Sequence, residues 1–313
     1  MKDSLLLNFP DLKGKESETL YVIGNGFDLF HDLPSSYNHF YCWLINNGYD
    51  SFVKQMETIF PATTENKDKL LWKDFEEALG KFDAEDIHNR FGCKSDDLWF
   101  DEKRQRMAVK AITPTLDNIR PLMKEWALEL SEMKHPNLLY LPKNSLYFTF
   151  NYTDVLEKTY QIPKENITHI HGLATANEQV ITGYGNHDYK NINLPEDENK
   201  EVSIRLINKK MMELHKETQI ISDQHLKYYE SLHNITRVVF LGHSFSFIDA
   251  TYLKNIIRNV SDKVHFHVSA HTIKDINHFW DYYDYVHNLC SGYNHAPDLQ
   301  SRLKKENIWI FNM

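Results

Sequence analysis

Cysteine is nearly missing. Cys42, Cys93 and Cys290 are the only three in 313 residues, and they lie too far apart in sequence for a disulfide framework or a Cys-x-x-Cys zinc or redox pair. Reduced thiols and a cytoplasmic location are the expectation. Long apolar runs are also missing. Nothing approaches the roughly 18 consecutive apolar residues of a membrane span, and the N-terminal segment offers only Leu5, Leu6 and Leu7 with no small-residue cleavage site, so neither a membrane partner nor an export signal is expected. The Asn-X-Thr triplets at Asn151, Asn166 and Asn234 are then expected to stay unmodified. Basic charge is not in excess: 35 Lys and Arg against 44 Asp and Glu leave a net charge of -9. Such a chain has no global field with which to hold nucleic acid through counterion release, and nucleic acid is not expected as a partner.

Glycine is scarce too, and its placement is informative. The chain has 11, about half the usual frequency of roughly 7%. Six of them fall in four places: Gly24 and Gly26, Gly172, Gly183 and Gly185, and Gly242. Each place follows an apolar or β-branched run, Leu20 to Ile23, Ile167 to Ile170, Val180 to Thr182 and Val238 to Leu241. Glycines gathered just past strand ends read as backbone brought close to a ligand. What the chain does have is 42% hydrophobic and 13% aromatic residues, enough for a packed, enzyme-sized body.

Strands are predicted at Thr19 to Ile23, Leu146 to Phe150, Ile167 to His171, Gln179 to Thr182, Thr236 to Leu241 and Lys263 to Val268. Helices are predicted from the start signal Pro34-Ser35-Ser36 to Asn46, over Asp249 to Val260, and over Ile273 to Leu289. Residues 51–135 and 190–232 carry helical spacing with almost no strand signal. Alternating strands and helices predict an α/β fold, a Rossmann-like doubly wound parallel sheet in one domain over 1–313. Its core would lie at about 17–50 and 140–313, with helical insertions at about 51–135 and 190–232.

Four constellations carry chemistry. Gly24-Asn25-Gly26-Phe27-Asp28 follows the first strand, where a Rossmann sheet holds a diphosphate. Leu29 stands where a third glycine would be, so a tight structural turn is the alternative. Asn151 stands just past a strand end, facing the ligand crevice or capping the next helix. His169 and His171 share a face if both lie on the strand, which suits a metal pair, a general base or simple packing. His171, beside Gly172, is the stronger functional candidate. Gly242-His243-Ser244 resembles a nucleophile elbow, but Ser246 replaces the closing glycine, so a phosphate- or ribose-binding turn fits better. Bland readings cover His265 and His267 as a packed strand face and Glu196 to Glu198 as a solvated loop.

In this order, GNGFDLFHDLPSSY at 24–37, FNYTDVLE at 150–157, HIHG at 169–172, GYGN at 183–186 and GHSFSFID at 242–249 resemble the phage abortive-infection AbiH family. The opening motif is the most specific, with Gly24, Asn25, Gly26, Phe27, Asp28, Leu33, Pro34 and Tyr37 all fitting. Through that family the chain also resembles the wider sirtuin-like group of bacterial defence proteins, whose Rossmann-type domain binds and often hydrolyses NAD. The resemblance implies Asn151 and His171 as catalytic residues, and Gly24 to Asp28 with Gly242, His243 and Ser244 as nucleotide-binding residues. Thr153 stands where the wider group usually has an acid, with Asp154 one place later, and the cysteine zinc module of protein deacylases is missing. Protein deacylation is therefore not expected. The implied function is anti-phage abortive infection through an NAD hydrolase that releases nicotinamide. The alternatives are a catalytically silent nucleotide sensor, or a metal-dependent hydrolase or nuclease using His169 and His171. NAD is the expected ligand and no metal is expected. A phage-derived trigger, a partner protein and a homo-oligomer complete the expected partners.

Overall fold

Short runs of β-branched and aromatic residues that leave no polar side become strands buried on both faces of a parallel sheet. The computed structural model describes residues 14–60, 70–92, 106–177, 179–185, 198–289 and 297–313. Six strands, β1 (Thr19–Ile23), β2 (Leu146–Thr149), β3 (Ile167–His169), β4 (Arg237–Leu241), β5 (His265–Ala270) and β6 (Ile308–Asn312), form one sheet in the order β3-β2-β1-β4-β5-β6. Every pairing is parallel. This is the Rossmann doubly wound order, and it reverses between β1 and β4, where such sheets open a crevice past the carboxyl ends of their strands.

Strand alternation divides the core into two layers. Leu20, Val22, Phe148, Val238 and Phe240 pack with Tyr252, Leu253 and Ile256 of the Ala250–Asn259 helix and with Phe279 and Tyr282 of the Ile273–Leu289 helix. On the other face Tyr21, Ile23, Tyr147, Val239 and Leu241 pack with Phe27, Leu139, Leu156 and Tyr160. Tyr21 and Tyr147 stack across β1 and β2 with ring centres 4.9 Å apart.

The predicted helix at 273–289 forms with those bounds, and Ser36 caps the Tyr37–Asn46 helix by accepting from the His39 N–H. Two strand expectations need correction, and one further strand forms that the pattern did not predict. The third strand ends at His169, so His171 lies in the following turn and shares no strand face with it. Residues 179–183 form no strand: Gly183, at φ 156, comes against the Leu214 carbonyl, and Tyr184 makes only an isolated bridge to His215. β6 was not foreseen, because five residues of Ile-Trp-Ile-Phe-Asn are equally compatible with a tail until β5 is there to pair with them. His265 is exposed and His267 half-buried, each beside the Trp309 ring.

The chain divides into two compact units. The first, Met1–Ser35, Ala127–Val180 and Glu217–Met313, carries the sheet. The second, Ser36–Trp126 and Ile181–Lys216, is helical in its described parts, with Phe40, Trp72, Phe75 and Trp126 in ring contact. Its Lys216 is 1% exposed, and its ammonium lies 2.7 Å from Glu76 Oε1. A buried ammonium is tolerated only with such a partner. Cys93, Cys290, Asn186, Glu196 and Asp197 lie outside the described residues, and Cys42 is an exposed free thiol.

Within the first unit, the ends of β1 and β4 meet backbone to backbone. Gly24 N–H donates to Leu241 O at 3.0 Å, and Gly26 N–H to Gly242 O at 2.8 Å. A Cβ added to Gly24 would sit 2.6 Å from Gly242 O, and one on Gly26 2.7 Å from Gly242 Cα. Gly242 itself has φ 62, and its Cβ would lie 2.2 Å from Phe27 N. Backbone cannot step aside as a side chain can. Gly26→Ala is therefore expected to destabilise the fold by about 2–3 kcal/mol through overpacking. Gly48→Ala, with nothing within 4 Å, is expected to cost only the left-handed backbone penalty of about 1 kcal/mol. Urea denaturation of both variants checks the difference, and equal losses would contradict the close-packing account.

Candidate active site

The first element of the site is the Asn25–Phe30 helix, which starts directly after β1 with Gly24 as its cap. The segment 24–28, expected as a loop, is therefore mostly helical, because the Gly24–Gly242 approach brings the chain into its first turn without a connecting loop. At its C-terminus His31, fully buried, donates from Nδ1 to Phe27 O at 2.7 Å and meets the Tyr160 hydroxyl through Nε2.

Asp28 projects from this helix into the protein and is 2% exposed. One carboxylate oxygen accepts from Asn151 Nδ2 at 2.9 Å and the other from the Thr153 hydroxyl at 2.7 Å. Burial pushes the Asp28 pKa up to about 6, with Asp154 adding to the rise, against the two hydrogen bonds and the nearby His169.

Asn151, one residue beyond Phe150 at the end of β2, is held by its backbone as well. Its N–H donates to Thr149 Oγ1 at 3.1 Å, and its carbonyl accepts from His169 Nδ1 at 3.1 Å. The other nitrogen of His169 is 2.9 Å from Glu157 Oε1, on the Val155–Lys158 helix. Asp154, which precedes that helix, pairs with Lys158 at 3.3 Å.

A second cluster surrounds His171, which is 3% exposed. Its Nε2 lies 3.7 Å from Asp249 Oδ1, an ion-pair distance and longer than a hydrogen bond. Rings of Phe150 and Tyr252 stand edge-on at 5.3 and 5.7 Å, and Tyr152 lies at 6.5 Å. An imidazole beside a carboxylate within aromatic walls is suited to general-base work, since the carboxylate stabilises the imidazolium that forms on proton uptake.

The Gly242–Ser244 turn serves the fold at two of its three residues. Gly242 N–H donates to Ser269 Oγ at 2.9 Å. His243 Nδ1 accepts from Phe245 N–H at 2.9 Å, holding Phe245 at φ 55. Burial pushes the His243 pKa down to about 3, so that ring is neutral near pH 7 and carries its proton on Nε2. Of the eight residues assigned to a nucleotide, Gly24, Phe27, Asp28 and His243 are buried, Gly26 and Gly242 half-buried, and Asn25 and Ser244 exposed.

The structure thus joins Asp28 to Asn151 and gives His169 and His171 separate partners. Among the described residues no group of three or more His, Cys, Asp or Glu is gathered as a metal ion would require. Sequence reasoning missed Glu157 and Asp249 as the acidic partners of these histidines. Both close motif segments already singled out, FNYTDVLE and GHSFSFID, and that position was the available signal.

Fold and site define an α/β protein of Rossmann strand order with a buried histidine–carboxylate centre near the carboxyl ends of its strands. A family model described as Bacteriophage abortive infection AbiH matches residues 20–270. The chain belongs to this family, and its function lies in phage abortive infection. No curated protein and no solved structure matches it. Among the described residues no helix is long and apolar enough to cross a membrane.

Asp28 generates a pH prediction. Its folded-state pKa is raised, from 3.8 to about 6. The neutral carboxyl therefore supports folding fully below the ordinary carboxylate range, and that support is lost as pH rises through about 6. Asp28→Asn, which keeps the shape without the charge, is expected to be more stable than the parent at pH 8, by up to about 3 kcal/mol. The gain should vanish by about pH 4. Urea titrations at both pH values measure it, and a gain that grows toward low pH would contradict the assignment.

Proposed function

We propose that this AbiH protein takes NAD or a closely related nucleotide as substrate at the carboxyl ends of its strands and hydrolyses the bond between ribose and nicotinamide. The observation that carries the reading is the buried His171, held against Asp249 inside an aromatic wall next to the strand end that bears Asn151. Water attacks C1′, the C1′–N bond breaks with its electron pair leaving on nicotinamide, and the proton lost by the water passes to His171. Asp249 stabilises the imidazolium, and Asn151 orients the ribose or the water. Asn25 and Ser244, the exposed members of the nucleotide set, are the proposed contacts to the diphosphate. Gly26 and Phe27 are left out of that role because their N–H groups donate to Gly242 and Gly24 carbonyls. A cytoplasmic location and a phage-derived trigger belong to the same reading.

The His171–Asp249 separation of 3.7 Å, longer than a hydrogen bond, favours one second reading, a sensor that binds nucleotide without turning it over. Purified protein incubated with NAD, with and without lysate of phage-infected cells, separates the two. Nicotinamide release supports the hydrolase, binding without release supports the sensor, and neither overturns both. In the hydrolase, His171→Ala is expected to lower turnover by about 10²- to 10⁴-fold while NAD affinity, read by calorimetry, changes far less. Full activity in that variant would remove His171 from the mechanism.

A further inference from the structure

An asparagine side chain has a donor end and an acceptor end of nearly the same shape, and a strand end alone does not decide which of them faces a ligand. Here a neighbouring group decides. An ionised carboxylate can only accept, so the Asn151 Nδ2 end must point to Asp28, at 2.9 Å, and Oδ1 must point away from it. The second Asp28 oxygen is held by Thr153 at 2.7 Å, so the carboxylate is fixed at two points and cannot turn. With the Asn151 backbone pinned to Thr149 and His169, the residue is tied to β2, β3 and the helix after β1 together.

We infer that Asp28 is a positioning residue: its carboxylate holds the Asn151 amide so that a hydrogen-bond acceptor, Oδ1, is presented to a ribose hydroxyl or a water molecule. This rests on the hydrolase reading for its substrate, though the coupling itself belongs to the protein alone. Protonation weakens the arrangement, because it removes the charge that strengthens the hydrogen bond from Asn151 Nδ2, while the new Asp28 O–H is left to donate to the Thr153 hydroxyl. The charged groups facing Asp28 from neighbouring elements are His169 on β3, itself bound to Glu157, and Asp154, itself paired with Lys158. They act in opposite directions, and burial dominates, placing the transition near pH 6. At neutral pH the protein thus keeps a buried negative charge that opposes folding, which is the pattern of a group retained for the site.

The test has two arms. In the first, nitrogen-15 NMR of the ligand-free protein follows the Asn151 side-chain amide, assigned by its loss in Asn151→Ala. One amide proton is expected downfield and protected from exchange at pH 8, and both properties should fade through about pH 6 in the parent and stay constant in Asp28→Asn. In the second, steady-state nicotinamide release from NAD is measured. Asp28→Ala is expected to lower kcat about tenfold to a hundredfold, with KM nearly unchanged. Asp28→Asn, which can still accept from Asn151, should recover part of that loss, and its kcat should lose the parent's acid limb near pH 6. Circular dichroism confirms that each variant folds. An amide signal insensitive to pH, or an acid limb that persists in Asp28→Asn, overturns the inference. A pH-coupled amide in a protein that releases no nicotinamide upholds the coupling and overturns the hydrolase reading instead.

Discussion

Most of the site hangs on one steric constraint, the approach of β1 and β4 backbone to backbone at Gly24, Gly26 and Gly242. Any Cβ there would stand 2.2 to 2.7 Å from a main-chain atom, and main chain anchored in two central strands has nowhere to move. Because the contact is so close, the chain leaves β1 straight into a helical turn. That turn sends Phe27 into the core and Asp28 into the polar network. The glycines of the opening motif are thus answered by protein and not by open space, which shifts the expected diphosphate contacts toward the exposed Asn25 and Ser244.

The polar network beyond them runs against the usual preference for neutral interiors. A carboxylate removed from water is costly unless it is hydrogen-bonded and near positive charge. Asp28 has two donors and a nearby histidine, enough to hold its pKa near 6 but not at the value of a carboxylate in water. His243 shows the opposite outcome in the same unit. With a backbone donor facing Nδ1, it is held neutral by burial and stabilises a positive-φ residue. Histidines alike in sequence are separated by what surrounds them: His169 lies between a carbonyl and Glu157, and His171 beside Asp249.

Much of the fold was legible because it depends on local pattern. Thr19–Ile23 and Ile273–Leu289 appear with the expected bounds, and a parallel sheet follows from strands alternating with helices. The failures have a common physical origin. Residues 179–182 have the composition of a strand, but a strand exists only where a partner offers a ladder, and among the described residues none does there. β6 has the converse history, a short apolar tail that becomes a strand because β5 has an open edge in register. The helix at 25–30 was hidden by Gly26 in its first turn, which sequence rules count against helices and which this one tolerates for the sake of the contact with Gly242.

By itself the sequence determined the α/β class, the motif order that marks the AbiH family, and the residue types gathered near the strand ends. These are properties of spacing and composition along the chain. Only the tertiary structure decided which polar groups meet: Asp28 with Asn151 across 123 positions of sequence, and His171 with Asp249 from segments carried by different strands. Such pairings depend on the strand order, which places β1 between β2 and β4, and on burial, which makes an unmatched charge too costly to leave alone.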